Sequence, residues 1–271
     1  VAIVPVLEHG GGGMSSAALN TDTDAAWEEW GRRDPYFGVL TNPKFRRSAM
    51  TTSSRSEFFR SGQVHVDYVM AMVQQYIDAD FLPKSVLDFG CGVGRTLIPL
   101  ARIARNAVGL DISRSMLREA RKNCDEYQLP NVRLVLSNHL VSSTLGTFDF
   151  VHSFIVFQHI PPARGRETLR RLLQHLAPGG VAALHFCYSK QHLAGTHGVA
   201  PTIDPSAGDH SGLRPPRPAG ADPEMQMNAY NVNELLFLIQ NQGVSRFHVD
   251  FTDHGGELGI FIFFQMNRSA T

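Results

Sequence analysis

Val86-Leu-Asp-Phe-Gly-Cys-Gly-Val-Gly-Arg95 decides the fold. Val86 to Phe89 reads as a short strand that runs straight into three glycines at alternate positions. Thr96 to Ala104 follows at helical spacing, with Leu97, Leu100, Ala101 and Ala104 on one face. Glycines let the backbone turn sharply and approach a ligand closely. The helix after such a turn directs its first amides, and the positive end of its dipole, toward a carboxylate or phosphate. A dinucleotide fingerprint would place its third glycine where Arg95 stands. Asp88, two residues before Gly90, opposes a pyrophosphate and suits a ligand with an ammonium or sulfonium. Asp88, Gly90, Cys91 and Gly92 are thus the first candidate ligand contacts.

Working outward, strands and helices alternate. Ala107 to Leu110 is a second strand that ends on Asp111. That acid lies about twenty residues past the loop, the position of a ribose-binding carboxylate at a Rossmann crevice. Ile112 and Met116 would lie near the base. Ser113 caps a helix that carries Met116, Leu117, Ala120 and Cys124 inward. Val132–Leu136 and Phe148–Ser153 are further strands, and 164–176 is a helix. Pro178-Gly-Gly180 is expected to turn the chain into a strand over 181–187. Asn231 and Glu234 resemble a capping box before a helix that buries Leu235, Leu238 and Ile239. Strands over 246–251 and 258–265 flank Asp253-His-Gly-Gly256 as a hairpin. Such alternation predicts an α/β fold with a mostly parallel sheet.

These motifs carry a resemblance. Over residues 84–188, and on to the end, the chain resembles class I S-adenosylmethionine-dependent methyltransferases. The residues that carry it are Val86 to Arg95, Gly109-Leu-Asp111, Phe148 to Ser153 and Leu176-Ala-Pro-Gly-Gly180. The resemblance implies a Rossmann-like, seven-stranded, mostly parallel sheet with helices on both faces and an antiparallel last strand. It implies S-adenosylmethionine as cofactor and S-adenosylhomocysteine as product. It places Asn138, where the family often has Asp, and His139 beside the adenine, and Ser153 and Phe154 at the methionine end. Phe59 and Gly62 belong to a helix expected to close over the cofactor.

Methyl transfer from a sulfonium asks the protein mainly to align a nucleophile and exclude water. A base is needed only for a nucleophile that must lose a proton. His159, in Phe157-Gln-His-Ile-Pro161, is the candidate base, with a loop-holding role as its alternative. Gln158, Tyr36, Phe37, Tyr188 and Tyr230 are candidate substrate contacts. Trp27 and Trp30 read as a helix face, followed by a loop over Asp34 to Phe37. Cys91, beside Asp88, does not read as a nucleophile. The histidines at 185, 192, 197 and 210 match no compact metal site.

Lys and Arg total 25, as do Asp and Glu, so the formal net charge is zero. The chain therefore lacks the broad basic field that argues for a nucleic-acid partner. Three cysteines at wide spacing form no disulfide framework and fit a cytoplasmic setting. No apolar run is long enough to span a membrane. Expected organisation is a flexible extension over 1–24, a helical cap segment over 25–83, and a methyltransferase domain over 84–271 with a loop or lid insertion at 190–226. The expected activity is methyl transfer to an O, N or C atom of a small metabolite. RNA or protein methylation, and cofactor binding without transfer, are the alternatives.

Overall fold

The structure is a computed structural model, and it describes residues 4–5, 22–137, 145–190 and 220–268. Asn138 and His139 lie outside the described residues, as does most of the 190–226 insertion with His192, His197 and His210.

Five strands run parallel through the centre: β2 (Ser85–Phe89), β3 (Asn106–Asp111), β4 (Val132–Leu136), β5 (Phe148–Ser153) and β6 (Leu176–Lys190). The hairpin of β7 (Val244–Asp253) and β8 (Glu257–Met266) completes the seven, with β8 antiparallel to both β6 and β7. An additional short edge strand, β1 (Val4–Pro5), pairs with Val135 and Leu136 of β4. The sheet order is therefore β1-β4-β3-β2-β5-β6-β8-β7. Val4–Pro5, within the expected flexible extension over 1–24, thus pairs with the sheet edge.

Successive residues of each strand feed opposite layers, as the two-residue period requires. Val86, Phe150, Val181 and Phe261 pack on one face with α3 (Thr52–Met72), α4 (Leu97–Ile103) and α5 (Arg114–Glu126). Leu87, Val151, Ala182 and Ile260 pack on the other with α6 (Pro162–Gln174) and α7 (Val232–Gln240). Caps set several of these helices. Ser113 accepts from the Met116 amide, Asn231 from the Asn233 amide, and Thr51 and Ser54 form a reciprocal box.

Two expected features differ. Asp34 to Phe37 is not a loop but the start of a short helix, α2 (Pro35–Val39), because Pro35 presets its first turn and the Gly38 amide donates to the Asp34 carbonyl. Pro178-Gly-Gly180 does not precede β6 but lies inside it. Phe148 pairs with Leu176 and Phe150 with Val181, so the extra residues bulge out, and Gly179 takes a φ of +74° there.

Candidate functional site at the carboxyl edge of the sheet

β2, β3 and β5 end side by side, so their following loops share one edge, where open α/β sheets bind ligands. A cleft of about 1010 Å3, counted out to bulk solvent, lies there. One wall is the glycine loop. Gly90 and Gly92 have φ of +72° and +52°, and a Cβ on them would meet Val156 at 2.4 Å and Val39 at 2.8 Å. Only glycine allows both that backbone and the close packing. Gly90 and Cys91 donate their amides to the Leu110 carbonyl, and Gly92 donates to Asp111 Oδ2 at 2.8 Å. Asp111 Oδ1 accepts from the Ser113 amide at 2.8 Å. Burial pushes the Asp111 carboxyl up to about 6, against the pull of those amides.

α1 (Asp22–Arg33) roofs this edge. At one end Glu28 accepts from the Ser113 and Ser115 hydroxyls, both at 2.7 Å. There Gly31 sits so close to α5 that a Cβ would lie 2.5 Å from Ser113 Oγ. At the other end Thr23 donates to the His159 carbonyl at 2.9 Å, and Trp27 packs 4.8 Å from the His159 ring. Arg164, in the first turn of α6, is bound by Asp24 at 2.7 Å. The cleft therefore runs from Asp111, past the glycine loop, to His159 and Arg164 beneath one helix.

His159 is held in one tautomer. Its Nδ1 lies 2.7 Å from the Gln226 carbonyl, which can only accept, so Nδ1 carries the hydrogen and Nε2 the lone pair. Burial lowers its pKa to about 4, so the ring is neutral at pH 7. Before it, Ile155 adopts a φ of +57°, which a β-branched residue avoids. That turn folds Val156 over Gly90.

A family profile described as "Methyltransferase domain" matches residues 86–180. Trans-aconitate 2-methyltransferase of Deinococcus radiodurans is 35% identical over 109 residues, 40% of this chain and 39% of that protein. A 23S rRNA uracil C5-methyltransferase of Burkholderia thailandensis is 30% identical over 36% of this chain and 21% of that protein. Ubiquinone biosynthesis O-methyltransferase of Psychrobacter cryohalolentis is 30% identical over 43% and 46%. The match thus spans less than half the length of each of these curated relatives. Among solved structures, magnesium protoporphyrin IX methyltransferase from Synechocystis with bound S-adenosylhomocysteine superposes with a TM-score of 0.57 at 20% identity, over 87% of this chain and 98% of that one.

This is a class I S-adenosylmethionine-dependent methyltransferase fold.

Within this methyltransferase fold, the cleft brings together eight of the expected residues: Gly90, Cys91, Gly92, Asp111, Ile112, Met116, Phe154 and His159. Burial, Asp111 and Asp88 hold the Cys91 thiol protonated, in line with its reading as no nucleophile. Others stand elsewhere, each for a visible reason. Asp88 is 1% exposed and is not among the residues that line the cleft. Its Oδ1 meets His152 Nδ1 at 2.7 Å and its Oδ2 accepts from Thr96 at 3.0 Å. Ser153 donates to the Phe89 carbonyl. Phe59 is buried among Phe58, Tyr36 and Tyr127, and Gly62 lies against the Arg95 carbonyl.

The five expected substrate contacts lie outside the cleft lining and make their contacts within the protein. Tyr36 reaches Glu119 and Asn123 on α5, and Phe37 stacks under the Arg46 guanidinium. Gln158 is buried against Cys187 and Asn228, and Tyr188 packs on Phe251. Tyr230 places its hydroxyl 3.0 and 2.8 Å from the Phe157 and Ile160 carbonyls, so it clamps the turn that carries His159. His185 lies within β6, is 1% exposed and is bonded to Thr252. Trp27, Val39, Arg95, Thr96, Val156 and Arg164 line the cleft and were not anticipated. Only Arg95, the first residue after the glycine loop, carried a local hint.

Proposed function

We propose that the chain binds S-adenosylmethionine in this cleft and transfers its methyl group to an O, N or C atom of a small metabolite. The observation that carries the reading is the continuous cleft from Asp111 to His159 beneath α1. The residues fit the cofactor. Asp111 has two oxygens for the ribose hydroxyls, Ile112 and Met116 offer apolar surface to the base, and the faces of Gly90 and Gly92 leave no room for a Cβ. When bound, the cofactor supplies an electrophilic methyl for direct displacement. The chain's own part is to hold the acceptor in line, to exclude water through α1, α2 and Trp27, and to receive a proton at His159 Nε2 where the acceptor is a hydroxyl. Residues 25–83 then act as the cap of the domain that follows.

A small acceptor is supported by the roof and by the fate of the arginines at 32, 33, 46 and 47. Arg33 is spent on the Gly220 and Ala221 carbonyls, Arg46 on Asp34 and Asp222, Arg47 on the Arg32 carbonyl, and Arg32 on Glu29. The trans-aconitate relative is named for a small acceptor, and the Psychrobacter relative for O-methylation in ubiquinone biosynthesis. The ribosomal RNA relative keeps a nucleic-acid acceptor as a second reading. Among the described residues no helix is long and apolar enough to cross a membrane.

The test is calorimetry with S-adenosylmethionine, followed by transfer of labelled methyl to a panel of small hydroxy, amino and carboxylic acids. Binding that Asp111→Ala abolishes, with label in a small molecule, supports the reading. Absence of binding overturns it. Binding without transfer leaves a cofactor module, and a salt-sensitive gel shift with labelled RNA moves the acceptor to nucleic acid.

A further inference from the structure

The methionyl end of the cofactor site lacks the partners expected for it. The Gly90, Cys91 and Gly92 amides, which were to receive the carboxylate, donate to Leu110 and Asp111. α4 starts only at Leu97 and is seven residues long, too short to supply a strong N-terminal field. Asp88, which was to receive the ammonium, is bound by His152 and Thr96.

One cation in the cleft wall makes no ion pair among the described residues, and feels the charge of Asp88 from beyond ion-pair distance, with both Asp88 oxygens already bound by His152 and Thr96. That cation is Arg95, which is 6% exposed and lines the cleft. Among the described residues its Nε has no hydrogen-bond partner, and its side chain makes one hydrogen bond, a 3.3 Å contact from Nη1 to Ser61 Oγ. Burial draws its pKa down to about 10, which leaves the guanidinium charged at neutral pH. Arg164, also in the wall, already holds Asp24. A buried guanidinium with unspent N–H groups is costly unless an anion meets it.

Its position says which anion. β2 lies between β3 and β5, so a ligand with its ribose on Asp111 crosses the glycine loop and reaches Phe154 after β5. The Arg95 guanidinium sits 5.7 Å from the Phe154 ring. Its main chain is pinned from behind by α3, since a Cβ on Gly62 would lie 2.0 Å from the Arg95 carbonyl oxygen.

We propose that Arg95 is the specificity residue for the amino-acid end of the cofactor, binding its carboxylate and so selecting S-adenosyl amino acids over nucleosides that lack that group. The proposal rests on the reading of the cleft as an S-adenosylmethionine site. It makes recognition of the methionyl end depend on a side chain rather than on loop amides. An Arg–carboxylate pair in such a dry site is strong and geometrically selective.

The test uses two probes and the full chain. Calorimetry compares S-adenosylhomocysteine with its decarboxylated analogue, which keeps the adenosine, thioether and ammonium. The wild-type protein is expected to bind S-adenosylhomocysteine at least about tenfold more tightly than the analogue. Arg95→Met keeps the apolar stem, and it should erase that difference by weakening S-adenosylhomocysteine alone. Equal wild-type affinities for the two probes overturn the proposal without needing the variant to fold, and leave the cofactor reading standing. A folded Arg95→Met protein that keeps the tenfold preference, or that loses both ligands equally, also overturns it. Wild-type protein that binds neither probe removes the cofactor reading itself.

Discussion

Asp88 Oδ1 and His152 Nδ1 meet at 2.7 Å, with both side chains sealed from solvent at the centre of the sheet. His152 Nε2 in turn lies 3.0 Å from His65 Nε2, whose ring stacks on Phe154 at 3.8 Å. The acid that opens the glycine motif therefore ties β2 to β5 and to α3, and it acts on the cleft through the residues around it.

Asp88→Asn should consequently cost stability more than ligand affinity. An amide has one acceptor oxygen where the carboxylate has two, so either His152 or Thr96 faces an NH2 and is left with a buried, unmet donor, at about 1–3 kcal/mol. Urea denaturation should show that loss. Calorimetry on the folded protein should show a change of less than about tenfold in S-adenosylhomocysteine affinity.

Asp111 should make ligand binding sensitive to pH. Burial raises its carboxyl to about 6 in the ligand-free protein, and the ribose hydroxyls need the ionised form as acceptor. Affinity for S-adenosylhomocysteine should be flat above pH 7 and weaken by about tenfold at one pH unit below the pKa. Asp111→Asn should bind weakly at every pH, with that slope gone.

Buried neutral imidazoles should make the protein acid-labile. Burial lowers the pKa of His159 to about 4 and of His185 to about 3, and that of His65 further still. Unfolded chains bind a proton at each near 6.5, so the unfolded state holds more protons below that pH and stability falls as pH falls. Each such group contributes up to about 1.4 kcal/mol per pH unit. Asp111 works in the opposite sense, because its folded pKa is raised and its protonation favours the folded state. Urea midpoints between pH 7 and 4.5 should decline, and His185→Phe should decline less steeply than wild type.

Gly62→Ala should destabilise the protein although alanine favours a helix by about 1 kcal/mol. The added methyl would lie 2.0 Å from the Arg95 carbonyl oxygen, a main-chain atom that cannot swing aside. Thermal melting should move down, and S-adenosylhomocysteine affinity should fall with it, because the displaced segment carries Arg95.

For a hydroxyl acceptor, His159→Ala should lower turnover by about a hundredfold or more while leaving S-adenosylhomocysteine affinity nearly unchanged. The neutral ring keeps Nε2 free as an acceptor down to a pH near 4, so the rate should show no inflection from this residue between pH 6 and 8. An inflection near 6.5 that vanishes in His159→Ala would contradict the buried, Gln226-bonded ring.

The sheet and the glycine wall of the cleft were legible because their rules are local. Val86 to Phe89 alternates between the two layers, Ser113 caps its helix, and Gly90 and Gly92 need left-handed backbone wherever the chain goes next. Asp111 was found by its place at a strand end. The chain from Asp88 through His152 to His65 was not, because His152 lies 64 positions from Asp88 and 87 from His65, and no local pattern records that. The same holds for Trp27 over His159 and Asp24 on Arg164, which depend on how α1 docks across the sheet edge.

By itself, then, the sequence determined where this chain turns, caps and alternates, and so the parallel sheet and the Asp111 edge of its cleft. Tertiary structure decided which charges remain for a ligand. Asp88 and the loop amides are consumed inside the protein, while Arg95, pinned by Gly62 and faced by Phe154, keeps its N–H groups. A hydrogen-bonding group is available only if no nearer partner has taken it, and the nearest partners are set by packing between segments far apart in the chain.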